Sequence, residues 1–89
     1  MKYHIKPKQA KEITEQQFYS MFNEIVPRND WANYHHRKMT IGKMIDWLDG
    51  VNINKGASKW HITVNDDGKE YAAKELTDAL WEAVKDNLI

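Results

Sequence analysis

The sequence predicts an α+β domain in which a three-stranded antiparallel sheet packs against helices, in the order β-α-α-α-β-β-α. Three observations lead there. Thr14 and Thr40 carry capping signals ahead of stretches with helical apolar spacing; the period then changes to two over residues 60–73; a last amphipathic stretch follows Lys74. A lone hairpin is marginal in water, so a third strand is needed to complete the sheet. One apolar sheet face covered by amphipathic helices makes a two-layer domain. The chain has 89 residues, enough for a single domain spanning 1–89 with one modest core.

Taken in order, Tyr3 and Ile5 alternate with Lys2, His4 and Lys6, a short strand that Pro7 ends and that is expected to join the sheet. Residues 7–13 read as a connector. Thr14 and Gln17 have capping-box spacing, Ile13 and Phe18 that of a hydrophobic staple, and Phe18, Met21, Phe22 and Ile25 repeat at i, i+3, i+4, i+7. A helix is expected over 14–25, stopped by Pro27. Asp30 caps a second helix through about Lys38. Thr40 caps a third to Asp49, with Ile41, Met44, Ile45 and Leu48 as its buried stripe and Gly50 as its stop.

Residues 51–58 read as a loop. Beyond them Trp60, Ile62 and Val64 alternate with His61 and Thr63, Asp67-Gly68 marks a turn, and Tyr71 and Ala73 resume the alternation. A turn of two or four residues keeps Tyr71 and Ala73 on the face of Trp60, Ile62 and Val64, so an even loop is expected. The last helix runs over 75–88, with Leu76, Leu80, Val84 and Leu88 at i+4 spacing, widened by Ala79, Trp81 and Ala83.

Composition narrows the function classes. Apolar residues are 42% of the chain and include four tryptophans, which excludes a disordered segment. With no cysteine there is no disulfide scaffold, thiolate metal site or cysteine nucleophile, and a reducing, cytoplasmic setting is expected. No apolar run approaches the roughly 20 residues needed to span a bilayer, and no apolar stretch follows the basic N-terminus as in a signal peptide. A soluble, unprocessed chain is expected.

Formal net charge is zero but unevenly spread. Residues 1–45 hold Lys2, Lys6, Lys8, Lys11, Arg28, Arg37, Lys38 and Lys43 against Glu12, Glu15, Glu24 and Asp30; the rest is acidic to the same degree. Such asymmetry can mark an interaction face, or folding can interleave the halves and cancel it.

No catalytic motif is present: there is no glycine-rich phosphate loop, nucleophile elbow or zincin pattern, and Ser20 and Ser58, the only serines, have no activating context. Asp66-Asp67 sits at a turn, where aspartate is favoured for backbone reasons. His35 and His36 are neighbours, about 100° apart on a helix, and His4 and His61 occupy polar strand positions, so no metal site and no cofactor are expected.

The segment 28–43 stands out. It interleaves aromatics and amides with Arg28, Arg37, Lys38 and Lys43, a mixture that can clamp phosphates while rings stack on bases. Two helices meeting at Met39-Thr40 also have the order of a helix-turn-helix. Against that, the second helix offers only Lys43 as a base beside Asp46 and Asp49, and a pI near 6.9 is below that of a DNA-binding domain. Trp31 and Tyr34 can equally be core or rim aromatics, with Arg37 and Lys38 set at the negative pole of a helix. Trp47 flanks the stripe of the third helix, where it can anchor an interface or pack under the 51–58 loop. The candidate interaction surface is therefore Arg28, Trp31, Tyr34, His35, Arg37, Lys38, Lys43 and Trp47.

The run IVPRNDWANYHHRKMTIGKMI from Ile25 to Ile45, with the DDGKEY hairpin and the acidic helix behind it, resembles in style small proteins encoded by phages and integrated elements of Gram-positive bacteria. The resemblance assigns no residue a role. It implies a binder of host proteins or of nucleic acid, inhibitors of defence systems among them, rather than an enzyme. The expected function is thus a small non-catalytic accessory protein that binds a protein partner, with weak nucleic-acid binding through 28–43 as the alternative.

Overall fold

In the computed structural model, which describes residues 3–22, 32, 35–65 and 68–88, Thr14 caps a helix as its spacing predicts. Its hydroxyl accepts from Gln17 N at 3.0 Å and the Gln17 side chain accepts from Thr14 N at 2.9 Å. Four helices are described: α1 (Pro7–Ala10), α2 (Glu15–Ser20), α3 (Ile41–Leu48) and α4 (Leu76–Asn87). A 3₁₀ turn covers His36–Lys38. The three strands are β1 (Val51–Lys55), β2 (Trp60–Val64) and β3 (Glu70–Ala73), antiparallel in the order β1-β2-β3.

The fold class is the expected one, α+β with a three-stranded antiparallel sheet, but the third strand is a different segment. Residues 51–55, expected as loop, form β1. Their sequence alternates apolar Val51 and Ile53, half-buried, with exposed Asn52 and Asn54. Asparagine disfavours strands, but on the solvent face its side chain costs little once β2 supplies the backbone partners. The N-terminal segment instead meets residues 39–41 outside the sheet. His4 and Thr40 form an isolated bridge, with Ile5 N donating to Met39 O (3.1 Å) and Ile41 N to Tyr3 O (2.9 Å). Ile5 is fully buried there and Tyr3 is exposed.

The connector before α2 also holds structure. Pro7 suits a first helical position because its fixed φ is already helical, and the Gln9 side chain accepts from Lys6 N at 2.9 Å. The helix expected over 14–25 is described to Ser20 with a turn at Met21 and Phe22, and its remainder lies outside the described residues. Of the helix expected from Asp30, Ala32 and His35 are helical, and the chain tightens into the 3₁₀ turn by His36. Thr40 caps α3 by accepting from Lys43 N at 3.0 Å. Asp49 (φ 51°) and Gly50 (φ 116°) then turn the chain out of α3.

Register settles the hairpin. Trp60 lies opposite Ala73 and Ile62 opposite Tyr71, and Val64 N donates to Lys69 O at 3.1 Å, so four residues lie between the bonded pair Val64 and Lys69. The even loop keeps Trp60, Ile62, Val64, Tyr71 and Ala73 on the inner face, while Asn52, Asn54, His61, Thr63, Glu70 and Ala72 face outward. Helix α4 lies across β2 and β3 and packs against α3. Ile5, Phe18, Met39, Met44, Ile62, Leu80, Trp81 and Val84 fill the space between as one continuous core. The Trp81 indole N–H donates to Glu12 Oε1 at 2.8 Å, and Gln9 Nε2 to Asp78 Oδ1 at 2.8 Å. These two bonds fasten the segment around α1 to the last helix.

Candidate interaction surface

Of the eight residues the sequence nominates, Arg28, Trp31 and Tyr34 lie outside the described residues. The other five have separate surroundings. His35 is half-buried, its Nδ1 sharing a 2.6 Å hydrogen bond with the hydroxyl of buried Tyr19, and the two rings meet edge to face at 5.6 Å. Its neighbour His36 is buried; Nδ1 donates to Ala32 O at 2.9 Å, and the ring stands edge-on to His4 at 5.4 Å. The adjacent histidines thus turn to different partners, as helical geometry requires. No set of three metal-ligating side chains converges among the described residues.

Arg37 and Lys38 are exposed on the 3₁₀ turn, which buried Met39 pins to the core. Lys43 is half-buried, its ammonium 5.0 Å from the centre of the Phe22 ring, a cation–π contact that lays the stem along the α2 side of the core. Trp47 follows one turn later on the same face of α3, and it too is half-buried. Beside its ring is an open cavity of about 170 Å³, bounded by Trp47, Leu48, Val64 and Asn87. Three elements therefore fix this corner: α3, β2 and the end of α4, where Asn87 Nδ2 donates to Ala83 O at 2.7 Å. The loop that could have covered Trp47 does not exist as such, because 51–55 is a strand.

The other polar groups are mostly partnered for structural reasons. Asp86 accepts from the Tyr71 hydroxyl at 2.6 Å and from Lys69 at 3.2 Å. The Tyr71 bond first, and the Lys69 bond and charge second, hold its carboxyl below the usual range. Lys85 lies 3.0 Å from Glu82 and 3.4 Å from Glu12. Burial works against its charge, but the bonds and charges of Glu82 and Glu12 outweigh it and raise its pKa. Ser20 donates its hydroxyl to Gln17 O at 2.6 Å, so it is not held against a base.

One basic grouping escaped the sequence reading. Lys55, Lys59 and Lys74, with Ala57, Ser58, Trp60 and Glu75, line an open cleft of about 330 Å³ at one end of the sheet. The signal was strand register, which sets Lys55 opposite Trp60 and Trp60 opposite Ala73, next to Lys74. That register exists only once 51–55 is a strand, which its sequence does not predict.

No family model matches the chain, and no curated protein or solved structure is found to match it either.

Proposed function

We propose that this chain is a small accessory protein that acts by binding another protein, without catalysis, through the surface running from Arg37 and Lys38 along α3 to Trp47. The observation that carries this reading is Trp47, an indole packed against the core but only partly buried, beside an open cavity on three packed elements. A large, rigid aromatic anchored this way loses little conformational freedom on docking, which is why tryptophan dominates interface energetics. Arg37 and Lys38 add an exposed cationic rim, suited to carboxylates on the partner. The resemblance in style of the 25–45 sequence to phage and mobile-element proteins implies a binding role, and the lack of cysteine fits a reducing, cytoplasmic setting.

Nucleic-acid binding through the same surface is the weaker reading. Lys43 rests on Phe22, and Asp46 and Asp49 stand exposed along α3, so few cations are left to meet phosphates. Proteins co-purified from a lysate of the source cells decide between them. A protein retained by the wild type should be lost with Trp47→Ala and with Arg37→Glu/Lys38→Glu, while both variants still melt cooperatively. Retention of the same proteins by all three, or recovery of nucleic acid alone, refutes the proposal.

A further inference from the structure

The cleft at the far end of β2 from Trp47, four residues or about 13 Å of strand away, has a chemistry of its own. It is formed by the end of β1, the 56–59 turn and the junction between β3 and α4. Lys55, Lys59 and Lys74 are all exposed, and among the described residues none of them pairs with a carboxylate. Glu75 is the only acid among the described lining residues, so there three positive charges face one negative charge. The Ser58 hydroxyl and the Trp60 indole N–H, neither bonded within the described residues, add neutral donors. Such a lining is rich in donors and poor in acceptors.

We propose that this cleft binds phosphate oxyanions carrying several charges, such as a triphosphate group or consecutive phosphates of a nucleic-acid strand. Ammonium groups are compact, strongly charged donors that pair with phosphate without needing a planar fork. Three around one concavity suit a ligand with several phosphates better than a single carboxylate. The role of Trp60 is to place a cation rather than to stack on a base: the Lys55 ammonium lies 5.3 Å from the centre of its ring. With that face covered, recognition rests on the phosphates. The positive end of α4 opens at the same place and strengthens the field, but the three ammonium groups create it.

Strand pairing keeps the arrangement in shape. Gly56 N donates to Lys59 O at 2.8 Å, closing the turn between Lys55 and Trp60. A side chain at Gly56 would come within 3.3 Å of the His61 ring and of Lys59 O, so the turn has little room to deform. Lys55 thus stands at the end of β1, Lys59 in the turn that the Gly56 bond closes, and Lys74 just past β3.

The test is a titration of the isotope-labelled full chain with sodium triphosphate, followed by amide chemical shifts at constant ionic strength. Saturable shifts confined to residues 55–60 and 73–76 are expected. Lys59→Ala and Lys74→Ala, both at exposed positions, should each weaken binding about tenfold, the worth of one charge-assisted hydrogen bond. Glu75→Gln should tighten it, and the exposed pair Lys8→Ala/Lys11→Ala should leave it unchanged. A single-stranded mixed-sequence oligonucleotide identifies the source. Tighter binding than triphosphate at the same amides assigns the phosphates to a nucleic-acid strand, and weaker binding assigns them to a free polyphosphate. The proposal is overturned by shifts that never saturate, by shifts spread over lysines elsewhere, by Lys59 and Lys74 variants that bind like the wild type, or by an acidic peptide of equal charge binding more tightly than either phosphate ligand.

Discussion

Replacing Glu12 with alanine tests what holds the N-terminal segment to the body of the protein. Glu12 Oε1 accepts from the indole N–H of Trp81, a fully buried residue, at 2.8 Å and from Lys85 at 3.4 Å. Removing the acceptor leaves a donor that the fold has withdrawn from solvent, at a cost of about 1–3 kcal/mol when nothing replaces it. The Glu12 side chain is 45% exposed, so water can reach the vacated position and the lower part of that range applies. Loss of the partly exposed ion pair with Lys85 adds about 0–1 kcal/mol. A destabilisation of roughly 1–2 kcal/mol follows, which lowers the melting temperature by about 4–16 °C in a domain of this size.

Glu12→Gln separates the acceptor from the charge. Glutamine keeps an oxygen for the indole and gives up only the ionic part, so it should cost less than half as much as alanine. Urea unfolding near neutral pH measures both, with the midpoint shifted and the slope unchanged. An alanine variant within about 0.3 kcal/mol of wild type would show that the Trp81 bond contributes nothing net. Equal losses for glutamine and alanine would show that the charge, through Lys85, matters and the acceptor does not.

Two further outcomes follow from the geometry. At Gly50 (φ 116°) a Cβ would meet Asn65 Nδ2 at 2.9 Å, so Gly50→Ala should cost about 1–3 kcal/mol in thermal unfolding, whereas Gly42→Ala, at an exposed first-turn position of α3 where a Cβ would make only ordinary contact with Thr40 Oγ1 at 3.9 Å, should gain up to about 1 kcal/mol; equal effects at the two sites would refute the conformational argument. The lowered folded-state pKa of Asp86 means its contribution is complete above the ordinary carboxylate pKa and is lost as pH falls below about 4, through the folded value; Tyr71→Phe should move the carboxyl midpoint upward by carbon-detected NMR titration, and an unmoved midpoint would remove Tyr71 as the main cause.

What could be read from the sequence was local. The Thr14 and Thr40 caps depend on residues three positions away, and the hairpin on a turn between neighbouring strands, so chain order alone carried them. The choice of the third strand was not local. Tyr3 and Ile5 alternate as a strand should, but their backbone partners are Tyr3 O with Ile41 and Ile5 N with Met39, more than thirty residues on. Val51-Asn52-Ile53-Asn54 alternates as well, but its asparagines resembled a loop until β2 gave them a solvent face. The candidate surface divided the same way. Lys43 and His35 belong to the candidate surface by sequence, and their partners, Phe22 and Tyr19, lie on α2 and its following turn and come near only through tertiary packing. Trp47 kept its place because the α3 stripe itself put it at the edge.

The neutral net charge hid the basic cleft for a related reason. A sum over the chain counts every acid as equally available, and folding makes them unequal. Asp86 is engaged by Tyr71 and Lys69, Glu70 by His61, and Glu82 and Glu12 by Lys85. Among these described pairs, Lys85–Glu12 joins the basic and acidic halves of the sequence, and the others lie within the acidic half. Within that acidic half Lys55, Lys59 and Lys74 line one cleft, where Glu75 is the one acid among the described lining residues. Screening confines each such region to about 8–10 Å in physiological salt, less than the separation along β2. A ligand at the lysine end therefore meets the local charge of the cleft, whatever the total for the chain, and the Trp47 corner can engage a partner of different chemistry without competing for it.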